Sequence, residues 1–496
     1  MGKQGDKNCS NYLRLVCRCC LLVVLCCSCH RTVCETSHLV LDSWAADVKT
    51  NVNTFMDKCA HTENAYVVFD FDNTCSIFDM EEQTLVYQLE TMSYALSPDE
   101  MEVALSSDVD RTKPELDGWL QDIVTAYTHL YDEYGPFCPG GLTEEKQTEI
   151  HQNKWWQEFS TKMMAFYDTL TDVEGTKVSY VWILYGFTGM TENELYEMSQ
   201  RAYKKYSQVK TEKATWKSPE DIPSKVGPVS CGITYGVQVT DNIRELWQCL
   251  YENGIDVWVC SASGVQPIMA AIDFFGLHPY CKGLLGMTLK MENGKYASAY
   301  DYVDGYPYLA EQDGAWSKST LPTQAQTSGE GKVTSIANAL MPLYGGKGPL
   351  AGFMDSTGDF WFCTMFSDMK MALCFNRANR KVTDGGGLIA EMAIYQRDCL
   401  GMNITKADSL HETFYLLQGR DENGLRSLRP SNQTLRVGDT EERLFANEDN
   451  QAVLDFMMAN HLTTREAIEK FCIHTTDSLI GVTYGWTDAY EGYHSK

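Results

Sequence analysis

Asp70 and Asp72 stand one residue apart, directly after the apolar run YVVF (66–69) in the stretch AYVVFDFDNTCSIFD. Two carboxylates this close at the end of a buried strand repel each other, so something positive must offset them. Ser261 follows the apolar run DVWVC (256–260), Lys332 lies in GEGKVTSIANAL, and Asp355 and Asp359 follow LAGFM (350–354) in FMDSTGD. Carboxylates gathered with an incomplete protein shell are the donor set for a hard cation that keeps waters and substrate oxygens, which points to magnesium.

For these residues to meet, the elements that carry them must converge. YVVF, DVWVC, LAGFM and MALCF (371–375) are short apolar segments bounded by polar or glycine positions, as expected of buried parallel strands. Helical patterns lie between them. In TDNIRELWQCLYENG, Ile243, Leu246, Trp247 and Leu250 recur at helical spacing, Thr240 or Asp241 can cap the start, and Gly254 ends it. The alternation predicts an open α/β sheet, whose strand carboxyl ends share one crevice. From Asp70 to Cys260 is 190 residues, far more than a crossover needs. The interval from 81 to 230 is mainly helical in pattern and reads as an inserted cap. The expected organisation is therefore an export segment at 1–34, a core at 35–80 and 231–400, the cap at 81–230, and a C-terminal extension packed on the core at 401–496.

In order along the chain, DFDNT (70–74), VWVCSAS (257–263), Lys332 and MDSTGD (354–359) resemble the four motifs of the haloacid dehalogenase-like hydrolase superfamily. The likeness is to its phosphoserine phosphatase-like branch, and in particular to exported phosphorylcholine phosphatase-like enzymes. LLQGRDENG (416–424) also looks like the tail of such proteins. Met354 departs from the pattern, which commonly has glycine there. The resemblance implies a Rossmann-like core with a helical cap, and a magnesium-dependent phosphomonoester hydrolase acting on a small phosphorylated metabolite such as phosphorylcholine or phosphoserine. On that footing Asp70 is the nucleophile and Asp72 the acid and base. Ser261 and the backbone at Ala262 bind phosphoryl oxygens, Lys332 neutralises charge, and Thr74 braces the loop. Magnesium is held by Asp70, the Asp72 carbonyl and Asp355, with Asp359 bonding metal waters or orienting Lys332. Glu82, where the chain enters the cap, is either a substrate-binding acid or an exposed acid in the first helical turn. Phosphotransfer to another hydroxyl, or a non-catalytic surface binding protein, is the alternative function.

The remaining signals bound this reading. A net charge of -26, with 67 acids against 41 bases, excludes a phosphate-backbone binder and hence a nucleic-acid partner. Lys3, Lys7, Arg14 and Arg18 precede the apolar run from Cys19 to Cys27, an export signal or, with Cys27 or Cys29 acylated, a lipoprotein-type anchor and the one expected route to a membrane. An exported chain with 11 cysteines beyond residue 34 is expected to form some disulfides and to keep at least one free thiol, Cys75 and Cys260 first among them. Asn403 and Asn432 lie in glycosylation sequons that matter only in a eukaryote. DGGGL (384–388) reads as a turn entering a helix rather than a phosphate cradle. Trp155, Phe159, Met163 and Phe166 share helical spacing and read as cap core rather than as a cage for a quaternary ammonium.

Overall fold

The computed structural model of the chain describes residues 35–467, apart from 302–306, 324–325, 379–384, 425, 447 and 465. The expected export segment, Asp384, and residues 468–496 of the expected extension lie outside the described residues.

The central sheet is built from β1 (Tyr66–Phe69), β2 (Asp256–Gly264), β3 (Cys281–Met287), β4 (Tyr308–Ala310), β5 (Trp316–Lys318), β6 (Ala351–Met354), β7 (Met371–Phe375) and β8 (Phe414–Gln418). Their order is β5-β4-β3-β2-β1-β6-β7-β8. All neighbours from β3 to β8 pair in parallel, and only β4 and β5 join antiparallel at one edge. Val67 and Phe69 of β1 enter one core with Val257, Val259, Phe353 and Leu373, while Tyr66 and Val68 enter a second core with Trp258, Cys260 and Ala372. A sheet covered on both faces has no polar side, which is why its strands are uninterrupted apolar runs. The chain goes from β1 outward to β2 and β3, then returns to lay β6, β7 and β8 on the other side of β1. The switch point therefore lies between β1 and β6, where the strand ends open into a crevice.

The helices that position the site are α1 (Met80–Thr91), α2 (Lys154–Glu174), α3 (Thr176–Leu184), α4 (Val265–Phe274), α5 (Glu330–Ala339), α6 (Thr357–Met365) and α7 (Gly385–Asp398). The fold is a Rossmann-like α/β core with helical insertions. Helices run from Met80 to Tyr206 and form a third core, in which Phe159, Met163 and Phe166 are buried. That insert does not end at 230, because Glu212–Lys217 pairs with Ser230–Tyr235 as a hairpin. A second insertion joins it: Leu289, Tyr296 and Tyr300, from the hairpin Leu289–Glu292 and Lys295–Tyr300 after β3, share the cap's core. The amide of Gly189 donates to Tyr296 O at 2.8 Å and that of Tyr296 to Met190 O at 2.8 Å, so the cap is stitched to this hairpin by backbone bonds.

Three expectations change. FYLLQ, assigned to an extension beyond 400, supplies β8, pairing Leu416 with Leu373 inside the sheet. The expected disulfides do not form among the described residues. Cys59, Cys249 and Cys281 face one core and Cys260, Cys363 and Cys374 the other. Asn432, read as a sequon, gives its side-chain amide to Leu417 O at 2.5 Å, so that amide is already committed to the fold. Asn403 caps the helix Ile404–Ser409 by accepting Lys406 N at 2.9 Å. Gly385–Gly387 form the first turn of α7, as a turn entering a helix requires.

Candidate functional site

The loop after β1 is wound tightly. The amides of Thr74, Cys75 and Ser76 all point to Phe71 O, at 3.2, 2.8 and 3.1 Å, and Asn73 takes a left-handed backbone with φ of 64°. This reversal keeps Asp70 at the strand end while Asp72 faces the start of the cap. Thr74 Oγ1 donates to Asp70 Oδ2 at 3.1 Å, with Asp355 Oδ1 also 3.4 Å away, so the threonine does brace the loop.

Asp70, Asp355 and Asp359 come together from β1, β6 and the first turn of α6, each offering a carboxylate oxygen within 4.8 Å of the others. Lys332, in the first turn of α5, lies between two of them, 2.7 Å from Asp70 Oδ1 and 2.6 Å from Asp359 Oδ1. Asp359 thus pairs with Lys332 directly. All four side chains are buried. Burial works against the charge on Lys332, but Asp359 and Asp70 outweigh it and hold the ammonium well above its usual range. Burial, then the charge on Asp359, push Asp70 up, and Lys332 offsets only part of this. Three buried carboxylates with too little positive charge, offering oxygen donors alone, fit a hard divalent cation.

Asp72 is held apart from that group. Ser263 Oγ donates to its Oδ2 at 2.6 Å and the Met80 amide to its Oδ1 at 2.6 Å, so its carboxylate caps the approach to α1. Burial and the charge on Asp79 raise it well above the usual carboxylate range, while the Ser263 bond pulls the other way. A buried carboxyl balanced in this manner can carry a proton and give it up. Ser261 and Ala262 line the same cavity beside Asp70 and Asp72, and Ser261 Oγ accepts the Ser263 amide at 3.1 Å.

The acid on the cap side is Glu81 and not Glu82. Asp79 is the N-cap of α1, accepting Glu82 N at 2.8 Å, and it also lines the cavity. That register turns Glu81 inward, where its Oε1 accepts the Gly264 amide at 2.7 Å. Glu82 is half-buried beside Asp79 and Asp168 and does not line the cavity. Neither of its two expected roles, substrate contact or exposed acid, matches this position.

Burial pushes the Glu81 carboxyl from 4.5 up to about 8. A raised folded-state pKa contributes stability below 4.5 that is lost as the pH rises through about 8. Glu81→Gln keeps the acceptor for Gly264 and cannot ionise. The variant should therefore match the parent in denaturant unfolding at low pH and exceed it in stability above about 8. A stability difference that does not change with pH would contradict this account.

The cavity holds about 150 Å³, and its cap wall is Tyr167 of α2 with Tyr180 and Ile183 of α3. The two tyrosine rings lie within 8° of parallel, their centroids 6.3 Å apart. The aromatic stripe foreseen one position earlier is cap core at Phe159, Met163 and Phe166, and Trp155 stacks on His129 at 3.9 Å. On the opposite side Arg377, two residues past β7, places Nη1 3.0 Å from Asp355 Oδ2. Ser263, Glu81, Tyr167, Tyr180 and Arg377 were not anticipated. Of these only Ser263, inside the SAS triplet, carried a sequence signal.

No family model and no curated protein matches the sequence. Among solved structures, a conserved protein of unknown function from Anaerococcus prevotii DSM 20548 is similar over 82% of this chain and 100% of its own, with 25% identity and a TM-score of 0.62. A protein of unknown function from Bordetella pertussis Tohama I covers 60% of this chain and 85% of its own, at 13% identity and a TM-score of 0.28. Cytosolic 5'-nucleotidase IIIB bound to cytidine covers 67% of this chain and 79% of its own, at 14% identity and a TM-score of 0.25. The last two superpose too loosely to inform the chemistry. The chain thus shares its fold, over most of its length, with a bacterial protein whose own function is unknown.

Proposed function

We propose that the protein is a magnesium-dependent phosphomonoesterase of the haloacid dehalogenase-like kind, working through an aspartyl phosphate. The observation that carries this reading is the division between two aspartates at one strand end. Asp70 lies with Lys332 among carboxylates, and Asp72 lies with Ser263 and the Met80 amide. Asp70 attacks phosphorus, the phosphorus–oxygen bond to the leaving group breaks, and Asp72 gives that oxygen its proton. Asp72, now ionised, takes a proton from water, which attacks the aspartyl phosphate, frees inorganic phosphate and restores Asp70. Ser261 and the backbone at Ala262 hold phosphoryl oxygens, and Lys332 balances the charge on Asp70 and the phosphoryl group. Asp70, Asp355 and Asp359, with the Asp72 carbonyl, would hold magnesium, which would supply positive charge to the phosphoryl oxygens.

The substrate is a small phosphate ester, and an amino or quaternary ammonium alcohol is the best-supported leaving group. Acids on the cavity wall, Asp79 and Glu81 among them, outnumber its two cations, Lys332 and Arg377, and the Tyr167–Tyr180 pair closes the cap side. Oxygen acceptors and aromatic faces suit an ammonium group better than an anionic one.

Phosphate release should be measured in magnesium for phosphorylcholine, phosphoserine, phosphoethanolamine, sugar phosphates and p-nitrophenyl phosphate. The expected result is hydrolysis that chelation abolishes, fastest for an amine-bearing ester. No release from any of them would sink the phosphatase reading, and transfer to added alcohol in place of water would favour the phosphotransferase alternative.

A further inference from the structure

The parallel sheet carries chemistry past the three strand ends anticipated to hold it, those of β1, β2 and β6. β7 and β8 each place an arginine two residues beyond the strand, Arg377 and Arg420. Arg420 is 1% exposed and donates in two directions. Nη1 reaches Asn73 O at 2.7 Å and Nη2 reaches Asn73 Oδ1 at 3.2 Å, while Nε and Nη2 lie 3.0 and 2.7 Å from Glu422 Oε1.

The backbone that carries Arg420 is fixed as well. Its amide donates to Thr434 Oγ1 at 3.1 Å, and its carbonyl accepts the Leu435 amide at 3.0 Å. The preceding Gly419 lies so close to the chain at 431–433 that a Cβ there would sit 2.0 Å from Gln433 O. Glycine is therefore needed for the approach that puts Arg420 in place.

A buried arginine–carboxylate pair gives little net stability over a well-packed apolar pair. What this pair provides is geometry, because a planar fork can fix two acceptors at once. Both acceptors belong to Asn73, the left-handed residue directly after Asp72. We propose that Arg420 is a positioning residue for the nucleophile loop. Its guanidinium, anchored by Glu422, fixes the Asn73–Thr74 peptide and the Asn73 side chain, and with them the angles at which Asp70 and Asp72 face the cavity. This inference rests on the phosphatase reading for its kinetic consequence but not for its structural one.

The test uses the full chain with Arg420→Ala and Arg420→Lys. In Arg420→Ala, kcat for p-nitrophenyl phosphate should fall about 100-fold with little change in KM, since a displacement of about 1 Å is enough for that loss. Added methylguanidinium at millimolar concentration should restore part of kcat in this variant and leave the parent unaffected. Arg420→Lys, whose single ammonium cannot span both acceptors, should remain slow. Loss of melting temperature with kcat intact and no rescue would overturn the proposal. Amide hydrogen exchange supplies an arm that needs no activity: in Arg420→Lys the amides of 73–76 should exchange faster than in the parent, and unchanged protection there would also overturn it. If the parent hydrolyses no phosphate ester, the phosphatase reading falls while the exchange result still decides the role of Arg420.

Discussion

Asp70→Asn is expected to show no phosphatase turnover above background while remaining at least as stable as the parent. Asparagine fills the same space; its Oδ1 can still accept from Lys332, and its Nδ2 can donate to the Thr74 hydroxyl in place of the bond that hydroxyl gave to Asp70, so the loop after β1 keeps its contacts. An amide, however, is not a nucleophile toward phosphorus, and no aspartyl phosphate can form. The stability half of the expectation follows from the charges. Asp70 is buried beside Asp359 and Asp355, with one lysine shared between two carboxylates, and its own carboxyl is pushed up by that burial. Replacing it with a neutral isostere removes a repulsion that the fold tolerates for function. Hydrolysis of p-nitrophenyl phosphate in magnesium and thermal unfolding without it are the two measurements. Turnover equal to the parent would remove Asp70 from the chemistry. A melting temperature several degrees lower would mean the carboxylate is structural.

That surplus of acid at the strand ends was legible in the sequence because each member follows an apolar run. YVVF, DVWVC, LAGFM and MALCF could be read as buried strands, and parallel strands bring their carboxyl ends together whatever lies between them. Asp70, Asp72, Ser261, Lys332, Asp355 and Asp359 could thus be grouped across nearly three hundred residues. What stayed illegible depended on angle rather than order. Glu81 and Glu82 are adjacent, and a helix turns about 100° between neighbours, so which one faces the cavity is decided by Asp79 taking the N-cap. The same rotation separates Phe166, in the cap core, from Tyr167, on the cavity wall. Tyr180 joins it only because Gly175, with φ of 83°, breaks the chain between α2 and α3. Arg377 had no pattern around it, and Arg420 stood in LLQGRDENG, which carried a resemblance but no role. Their roles come from the sheet order, in which β7 and β8 extend the row of strand ends beyond Asp355.

Asp72→Asn should separate the two halves of the reaction. On the proposed mechanism Asp72 donates a proton to the leaving oxygen and later removes one from water, and its surroundings allow both. Burial and Asp79 favour the protonated form, whereas Ser263 and the Met80 amide favour the ionised one. Asparagine can do neither. With p-nitrophenyl phosphate the leaving group departs readily without protonation, so the first step survives and the second, which needs a base, slows by about 100-fold to 10,000-fold. The expected signature is a burst of nitrophenolate close to one per enzyme, followed by slow release, with a phosphorylated chain visible by intact mass after acid quench. With an alkyl ester such as phosphorylcholine the burst should vanish, because an alkoxide needs the missing proton. Parent-like turnover of both esters would take the proton transfers away from Asp72. A slow rate without a burst on p-nitrophenyl phosphate would instead mean that Asp72 acts on the first step alone, and the water would then need another base among Asp79 and Glu81, the other carboxyls that line the cavity on the cap side.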